Sequence, residues 1–80
     1  MDELFRTSRR LAPIDIASLS HREVQILTLV AEGKTNKQIG AHLYLSAATI
    51  HSHLKNVFRK LDANDRAHAV AKAFRAGVLQ

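Results

Sequence analysis

The sequence predicts an all-α fold, a compact four-helix domain with a central helix-turn-helix, within 80 residues. Four segments place apolar residues three or four positions apart, which is the spacing of one face of a helix. Each of these segments follows a Ser, Thr or Asn, residue types that cap helix starts. No stretch shows the strict polar and apolar alternation of a half-buried strand.

The chain divides into an N-terminal arm or linker, residues 1–18, and a folded domain, residues 19–80. The arm has apolar residues for a short helix from Asp2 to Leu11, which Pro13 would end, because proline breaks a helix and disfavours it at the preceding residue. A domain this small buries only about 60% of its unfolded surface, so a thin core is expected.

The first helix is predicted from about Ser20 to Glu32. Ser20 and Glu23 form a capping box, in which each side chain accepts from the other residue's backbone amide. Gly33 suits the left-handed position that ends a helix. The apolar residues expected to face the core are Val24, Ile26, Leu27, Val30 and Ala31.

A short second helix is predicted over residues 36–43, with a second capping box from Thr35 and Gln38. Gly40 is unusual there, because glycine inside a helix costs about 1 kcal/mol relative to alanine. Close approach of the following helix would explain it. The inner face is formed by Ile39 and Leu43.

The third helix is predicted over residues 47–61, with Ser46 as its cap and the turn of Tyr44 and Leu45 before it. Its apolar residues follow the spacing of a buried stripe, namely Ile50, Leu54, Val57, Phe58 and Leu61. The opposite face carries Ala48, His51, Ser52, Lys55 and Arg59.

The fourth helix is predicted from about Asp65 to Ala76, capped by Asn64 and ended by Gly77. The residues expected to face the core are Ala67, Val70, Ala71, Phe74 and, past the end of the helix, Val78. A second strip, which a monomer does not need, lies on nearly the opposite face and consists of Ala69, Ala73 and Ala76.

Four blocks of this chain resemble the LuxR/GerE-type DNA-binding domain: LSHREVQIL (19–27), EGKTNKQIG (32–40), LYLSAATIHSHLKNVFRKL (43–61) and DRAHAV (65–70). The resemblance covers roughly residues 18–79 and is specific, because the blocks agree in order and spacing. It implies a helix-turn-helix in the second and third helices, bacterial transcription regulation, and dimerisation through the last helix. Members occur as output domains of response regulators, as quorum-sensing receptors and as standalone regulators.

Base reading is predicted for His51, Ser52 and Lys55, because the N-terminal half of a recognition helix, here residues 47–61 in the major groove, reaches base edges. Lys donates to guanine O6 and N7, whereas His and Ser donate or accept and so tolerate more bases. Family members often carry Lys where this chain has His51, which leaves the preferred operator open. The alternative for His51 is an exposed polar residue without a base contact.

Phosphate contacts should flank the recognition helix, because backbone contacts fix its register on the duplex. At Ser46 the alternative is capping alone, although a hydroxyl can accept from an amide while donating its own proton. The predicted phosphate-binding residues are Asn36, Lys37, Ser46, Thr49, His53, Asn56 and Arg59.

A homodimer on DNA is predicted through the last helix, because small residues let two helices approach about a two-fold axis. Such a dimer would space its recognition helices about 34–36 Å apart and require an inverted-repeat site. The alternative is a plain alanine-rich surface helix. The interface residues would be Ala69, Val70, Ala73 and Ala76.

Charge and composition narrow the function further. Twelve Lys and Arg against seven Asp and Glu give a net charge of +5, which favours an anionic partner such as double-stranded DNA, although a solvated basic surface is the alternative.

There is no cysteine, and His51 and His53 diverge by about 200° on one helix, so no metal site is expected. The sequence also lacks a phosphate loop, a nucleophile elbow and paired catalytic carboxylates, so we expect neither an enzyme nor a cofactor.

No apolar run approaches the roughly 20 residues that span a bilayer, and no signal-peptide pattern precedes the domain, so a cytoplasmic location is predicted. A second functional class remains open beside DNA binding: a protein-interaction module that docks on RNA polymerase or on a regulator. Such a surface would be expected to use aromatic anchors, and the face of His51, Ser52 and Lys55 has none.

Overall fold

The fold is seen in a computed structural model, which describes residues 18–80. Its helices are α1 (His21–Ala31), α2 (Asn36–Leu43), α3 (Ala47–Leu61) and α4 (Arg66–Arg75). The predicted all-α class and the four helices are therefore confirmed over this range. The predicted helix from Asp2 to Leu11 and its break at Pro13 lie outside the described residues.

Both predicted capping boxes are present. The Ser20 hydroxyl accepts from the Glu23 amide at 3.0 Å, and the Glu23 carboxylate accepts from the Ser20 amide at 2.9 Å. Thr35 and Gln38 make the same pair of bonds at 3.1 and 2.9 Å. These side chains satisfy first-turn amides that have no acceptor inside the helix, and so they fix where α1 and α2 begin.

The start of α4 differs from the prediction by one residue. Asp65, rather than Asn64, is the N-cap, and its carboxylate accepts from the His68 amide at 2.9 Å. The backbone amide of Asn64 instead donates to the His68 ring at 3.1 Å. A carboxylate and an amide side chain cap equally well, so residue type alone could not separate these two neighbours.

The core consists of two hydrophobic clusters, and α3 packs against each of the other three helices. Phe58 of α3 and Val70 of α4 contact both clusters. The cluster shared by α1, α2 and α3 contains Ile26, Leu29, Val30, Ile39, Ile50 and Leu54. The cluster that adds α4 and the C-terminal segment contains Leu27, Val57, Leu61, Ala69, Ala73 and Leu79.

The predicted faces of α4 were wrong in part, although Val70 and Val78 do pack against the core as predicted. Ala69 and Ala73 are fully buried in the chain's own core, so they cannot form the exposed strip that the sequence suggested. Phe74, predicted to be buried, is 48% exposed. Alanine lets α4 approach the body of the domain closely, and the larger ring is left outside. Two further residues predicted for the core are exposed, Ala67 and Ala71.

In α1 the predicted stripe needs a smaller correction. Ala31 is exposed, whereas Leu29 is buried in the core. Glu23 is also buried, although it is charged. Ile26, Leu27 and Val30 are buried as predicted, whereas Val24 is only half-buried.

Gly40 allows the chain to fold back tightly before α3. A Cβ built at this position would lie 2.3 Å from the backbone oxygen of Leu45, which is far closer than atoms can pack. The Leu45 amide also donates to the Gly40 carbonyl at 2.8 Å. The close approach predicted for Gly40 is therefore confirmed, and the approaching backbone is that of the turn leading into α3.

A partly buried ion pair joins α3 to the start of α1. The Lys60 ammonium lies 2.8 Å from the Glu23 carboxylate and also donates to the Ser18 carbonyl at 2.8 Å. Burial alone would raise the pKa of Glu23. Hydrogen bonds from Lys60 and Ser20, together with the charges of Lys60 and His53, outweigh burial and hold that pKa below its ordinary value.

Candidate nucleic-acid interface

One side of α3 is free of the core and carries the predicted base readers. His51, Ser52 and Lys55 are all exposed. On the opposite side of the same turns, Ile50 and Leu54 are buried. Because a helix rotates by about 100° per residue, this arrangement turns the three polar side chains outward together. The structure thus brings them onto one accessible face.

The start of α3 uses its hydroxyls differently from the prediction. Ser46 accepts from the Thr49 amide at 3.0 Å and donates its own proton to the Thr49 hydroxyl at 2.9 Å. The Ser46 proton is therefore engaged within the helix. The Thr49 hydroxyl accepts that bond and keeps its own proton to donate, so an anion at this end would be met by Thr49.

Three predicted phosphate contacts lie farther along α3. Asn56 and Arg59 are exposed one turn apart, and the Arg59 guanidinium donates to the Asn56 side-chain oxygen at 3.4 Å. His53 is only half-exposed, and its charge acts on Glu23. At about 100° per residue, His53 lies roughly 200° around α3 from both His51 and Lys55.

The start of α2 supplies the remaining candidates. Lys37 is exposed, whereas Asn36 is half-buried. The side-chain oxygen of Asn36 accepts from the guanidinium of Arg66 at 2.5 Å, and a second nitrogen of Arg66 donates to the Lys34 carbonyl at 2.7 Å. Arg66, a residue of α4, thus holds the Asn36 side chain at the start of α2.

Arg66 is a residue that sequence reasoning missed. It stands at the first position of α4, where the helix dipole makes a positive charge unfavourable. That placement was the available signal that the side chain has a specific partner elsewhere. Arg66 also lines a groove of about 190 Å³ together with Asn36, His51, Leu54, Lys55 and Phe58.

Among residues 18–80, no three His, Cys, Asp or Glu side chains group closely enough to hold a metal ion. Within the same range, no helix combines the length and apolar character needed to cross a membrane. The exposed side chains of His51, Ser52 and Lys55 on α3, with Lys37 at the start of α2, form the candidate interface.

Comparison with known proteins identifies the family. The family model described as bacterial regulatory proteins, luxR family (GerE), matches residues 17–73. The chain is 48% identical over 58 residues to the transcriptional regulatory protein LiaR of Bacillus subtilis (strain 168), covering 72% of this chain and 28% of LiaR. It is 43% identical over 60 residues to the uncharacterized response regulatory protein YgeK of Escherichia coli (strain K12), covering 75% of this chain and 41% of YgeK.

Solved structures agree with this result. The transcription factor GerE superposes with a TM-score of 0.74 at 31% identity, covering 78% of this chain and 92% of that one. The response regulator ChrA of a heme-sensing two-component system gives 0.75 at 34% identity, covering 76% and 30%. The chain thus spans less than half the length of LiaR and YgeK and nearly all of the GerE structure. It belongs to the luxR family of bacterial regulatory proteins and is a helix-turn-helix DNA-binding domain of that family.

Proposed function

We propose that this chain reads a specific DNA sequence for a bacterial transcription regulator by placing α3 in the major groove. The observation that carries the proposal is the exposed face of His51, Ser52 and Lys55 on a helix whose other side is buried in the core. A helix anchored in this way presents its base-reading side chains rigidly, and the major groove is wide enough to admit it.

Phosphate contacts position this helix on the duplex. One part of the DNA backbone is contacted by Lys37 and Asn36 at the start of α2 and by Thr49 near the start of α3. Asn56 and Arg59 meet another, farther along α3. Ser46 acts mainly by holding Thr49, with which its side chain makes two hydrogen bonds. His53 contributes at the edge of the interface, on the side of Glu23.

Two copies pair through α4 on an inverted-repeat site, as in the prediction, but through a different face of that helix. The exposed side of α4 carries Phe74, Ala67 and Ala71, with Val70 half-exposed beside them. A half-exposed aromatic ring among small residues suits a close helix pair. Ala69 and Ala73 are buried, so they contribute to this pairing only by packing α4 on its own domain. Ala76 is half-exposed at the end of the helix.

A contact with RNA polymerase is proposed at the turn between α2 and α3. Tyr44 is 94% exposed there and adopts a left-handed conformation, with φ at 61°. Aromatic residues are common anchors at protein interfaces. Tyr44→Asn suits the same backbone conformation, so it should retain operator binding and lower transcription from a reconstituted promoter. Unchanged transcription would remove this contact from the proposal.

Selection of bound duplexes from a random oligonucleotide pool tests the central proposal. We expect an enriched inverted repeat whose half-sites lie one helical turn apart. With about 6–10 phosphate contacts, affinity for the selected site should fall roughly 10³–10⁵-fold between 50 and 200 mM salt. No enriched sequence would contradict base reading, and a lone, asymmetric half-site would contradict the dimer.

A further inference from the structure

Asn36 and Arg66 couple the last helix of the domain to its DNA-binding face. Among the described helices, α2 and α4 do not pack against each other along their lengths. The Arg66 side chain nevertheless crosses between them and bonds two groups around the start of α2, the Asn36 side chain and the Lys34 carbonyl. These residues are thirty or more positions apart in sequence, so the contact is a tertiary one.

The chemistry of this contact fixes the orientation of Asn36. A guanidinium only donates hydrogen bonds, so it must take the oxygen end of the Asn36 amide. The nitrogen end, which carries two hydrogens, is then turned away from Arg66 and left for another acceptor. A phosphate oxygen is an acceptor without hydrogens of its own, so it requires that nitrogen end.

The second bond of Arg66 fixes the backbone as well as the side chain. The Lys34 carbonyl lies just before the Thr35 cap, and it accepts from the second guanidinium nitrogen at 2.7 Å. A planar fork that holds a carbonyl and a neighbouring side chain together restrains the entry of the chain into α2. Arg66 is itself half-buried, so its guanidinium has limited freedom to turn toward a ligand.

From this geometry we propose that Arg66 is a positioning residue for DNA binding, which acts through Asn36 by turning its amide nitrogen toward a backbone phosphate. The inference rests on the proposed function, because it assumes that the start of α2 meets the duplex. It also gives the helix proposed to pair two copies a direct connection to the face that binds DNA. The competing role for Arg66 is direct contact with a phosphate.

A double-mutant cycle separates these two roles. The proteins are the wild-type chain, Arg66→Ala, Asn36→Ala and the double variant, each titrated with a selected duplex and with a random duplex. Each single variant should bind both duplexes about tenfold more weakly, the scale of a lost charge-assisted hydrogen bond. The double variant should also lose only about tenfold, because both changes remove the same contact. A loss near the product of the two, about a hundredfold, would overturn the proposal in favour of independent contacts.

Two further variants address charge and folding. Arg66→Lys keeps the charge without the planar fork, so affinity should stay low, and full recovery would show that charge alone is required. Arg75→Ala removes the same charge at the other end of α4, about 14 Å away, and should change affinity less than Arg66→Ala. Thermal unfolding identifies any variant that fails to fold. If Arg66→Ala fails to fold, Arg66→Lys replaces it in the cycle. The loss of affinity in the double variant is then compared with the losses in the single variants in the same way.

Wild-type binding distinguishes failure of this inference from failure of the proposed function. If the wild-type chain binds neither duplex, the proposed function fails and the positioning role fails with it. If the wild type binds and Arg66→Ala binds equally well while remaining folded, the positioning role alone is wrong.

Discussion

The two helices α3 and α4 carry similar numbers of apolar residues, yet the sequence predicted the buried face of α3 correctly and misplaced much of the buried face of α4. On α3, Ile50, Leu54, Val57 and Leu61 are buried as expected. On α4, the buried positions are alanines, and Phe74 is half-exposed. The difference teaches that hydrophobicity identifies a core face only where the opposite face is polar. Where both faces are apolar, the space between the helices decides which face is buried, and the face with the smaller residues packs inward.

The largest effect is expected from truncating the buried stripe of α3. Leu61→Ala should lower the free energy of unfolding by about 2–5 kcal/mol, because it removes methyl groups and leaves a cavity. Ser52→Ala, on the exposed face of the same helix, should change it by no more than about 0.5 kcal/mol. Urea unfolding of both variants measures the contrast, and equal losses would mean that the two faces of α3 are not distinct.

The corrected orientation of α4 is tested by enlarging its alanines. Ala73→Leu should cost about 1–3 kcal/mol, because the side chain has no room in a packed core. Ala71→Leu is the matched control, since Ala71 is two residues away and exposed. It should change the free energy of unfolding little. Thermal or urea unfolding measures both variants. A larger loss of stability in Ala71→Leu than in Ala73→Leu would favour the orientation of α4 first predicted from the sequence.

The ion pair that fixes α3 on α1 predicts a dependence of stability on pH. Because the folded pKa of Glu23 lies below its ordinary value of 4.5, its contribution is complete above that pH and is lost as pH falls through the folded pKa. Glu23→Gln should cost about 1–2 kcal/mol at pH 7. The difference between the two proteins should shrink below about pH 4.5, and a difference that grew on acidification would contradict this sign.

The smallest effect on the isolated fold is expected at the exposed side of α4. Phe74→Ser should lower the free energy of unfolding by about 1 kcal/mol, less than truncation of a fully buried residue, because about half of the residue's surface is already exposed. If α4 pairs two copies, the same change should reduce cooperative binding to a duplex with two half-sites and spare binding to a single half-site. Equal binding curves for Phe74→Ser and wild type on both duplexes would place the dimer contact elsewhere.

Local signals predicted much of this molecule. The capping boxes at Ser20 and Thr35 fixed two helix starts, because their bonds form between residues three apart. The exposure of His51 and Lys55 followed from the apolar stripe on the other side of α3. The base and phosphate contacts remain predictions that the geometry supports.

The features that could not be predicted from the sequence depend on tertiary contacts. The bonds of Arg66 to Asn36 and Lys34 join segments thirty or more residues apart, and no local pattern reports such a distance. The burial of Glu23 is similar, because its partner Lys60 lies at the far end of α3. Both pairs are charged or polar residues that a sequence pattern assigns to the surface.

The central claim is that the exposed face of α3 reads bases, and its most direct test is the ratio of affinities for selected and random duplexes. Lys55→Ala should lower that ratio by roughly 5–150-fold, the value of one base contact of about 1–3 kcal/mol. Lys37→Ala is the control, and as a phosphate contact it should weaken both duplexes about equally and leave the ratio unchanged. A Lys55→Ala protein that kept the wild-type ratio would contradict the assignment of this face to base reading.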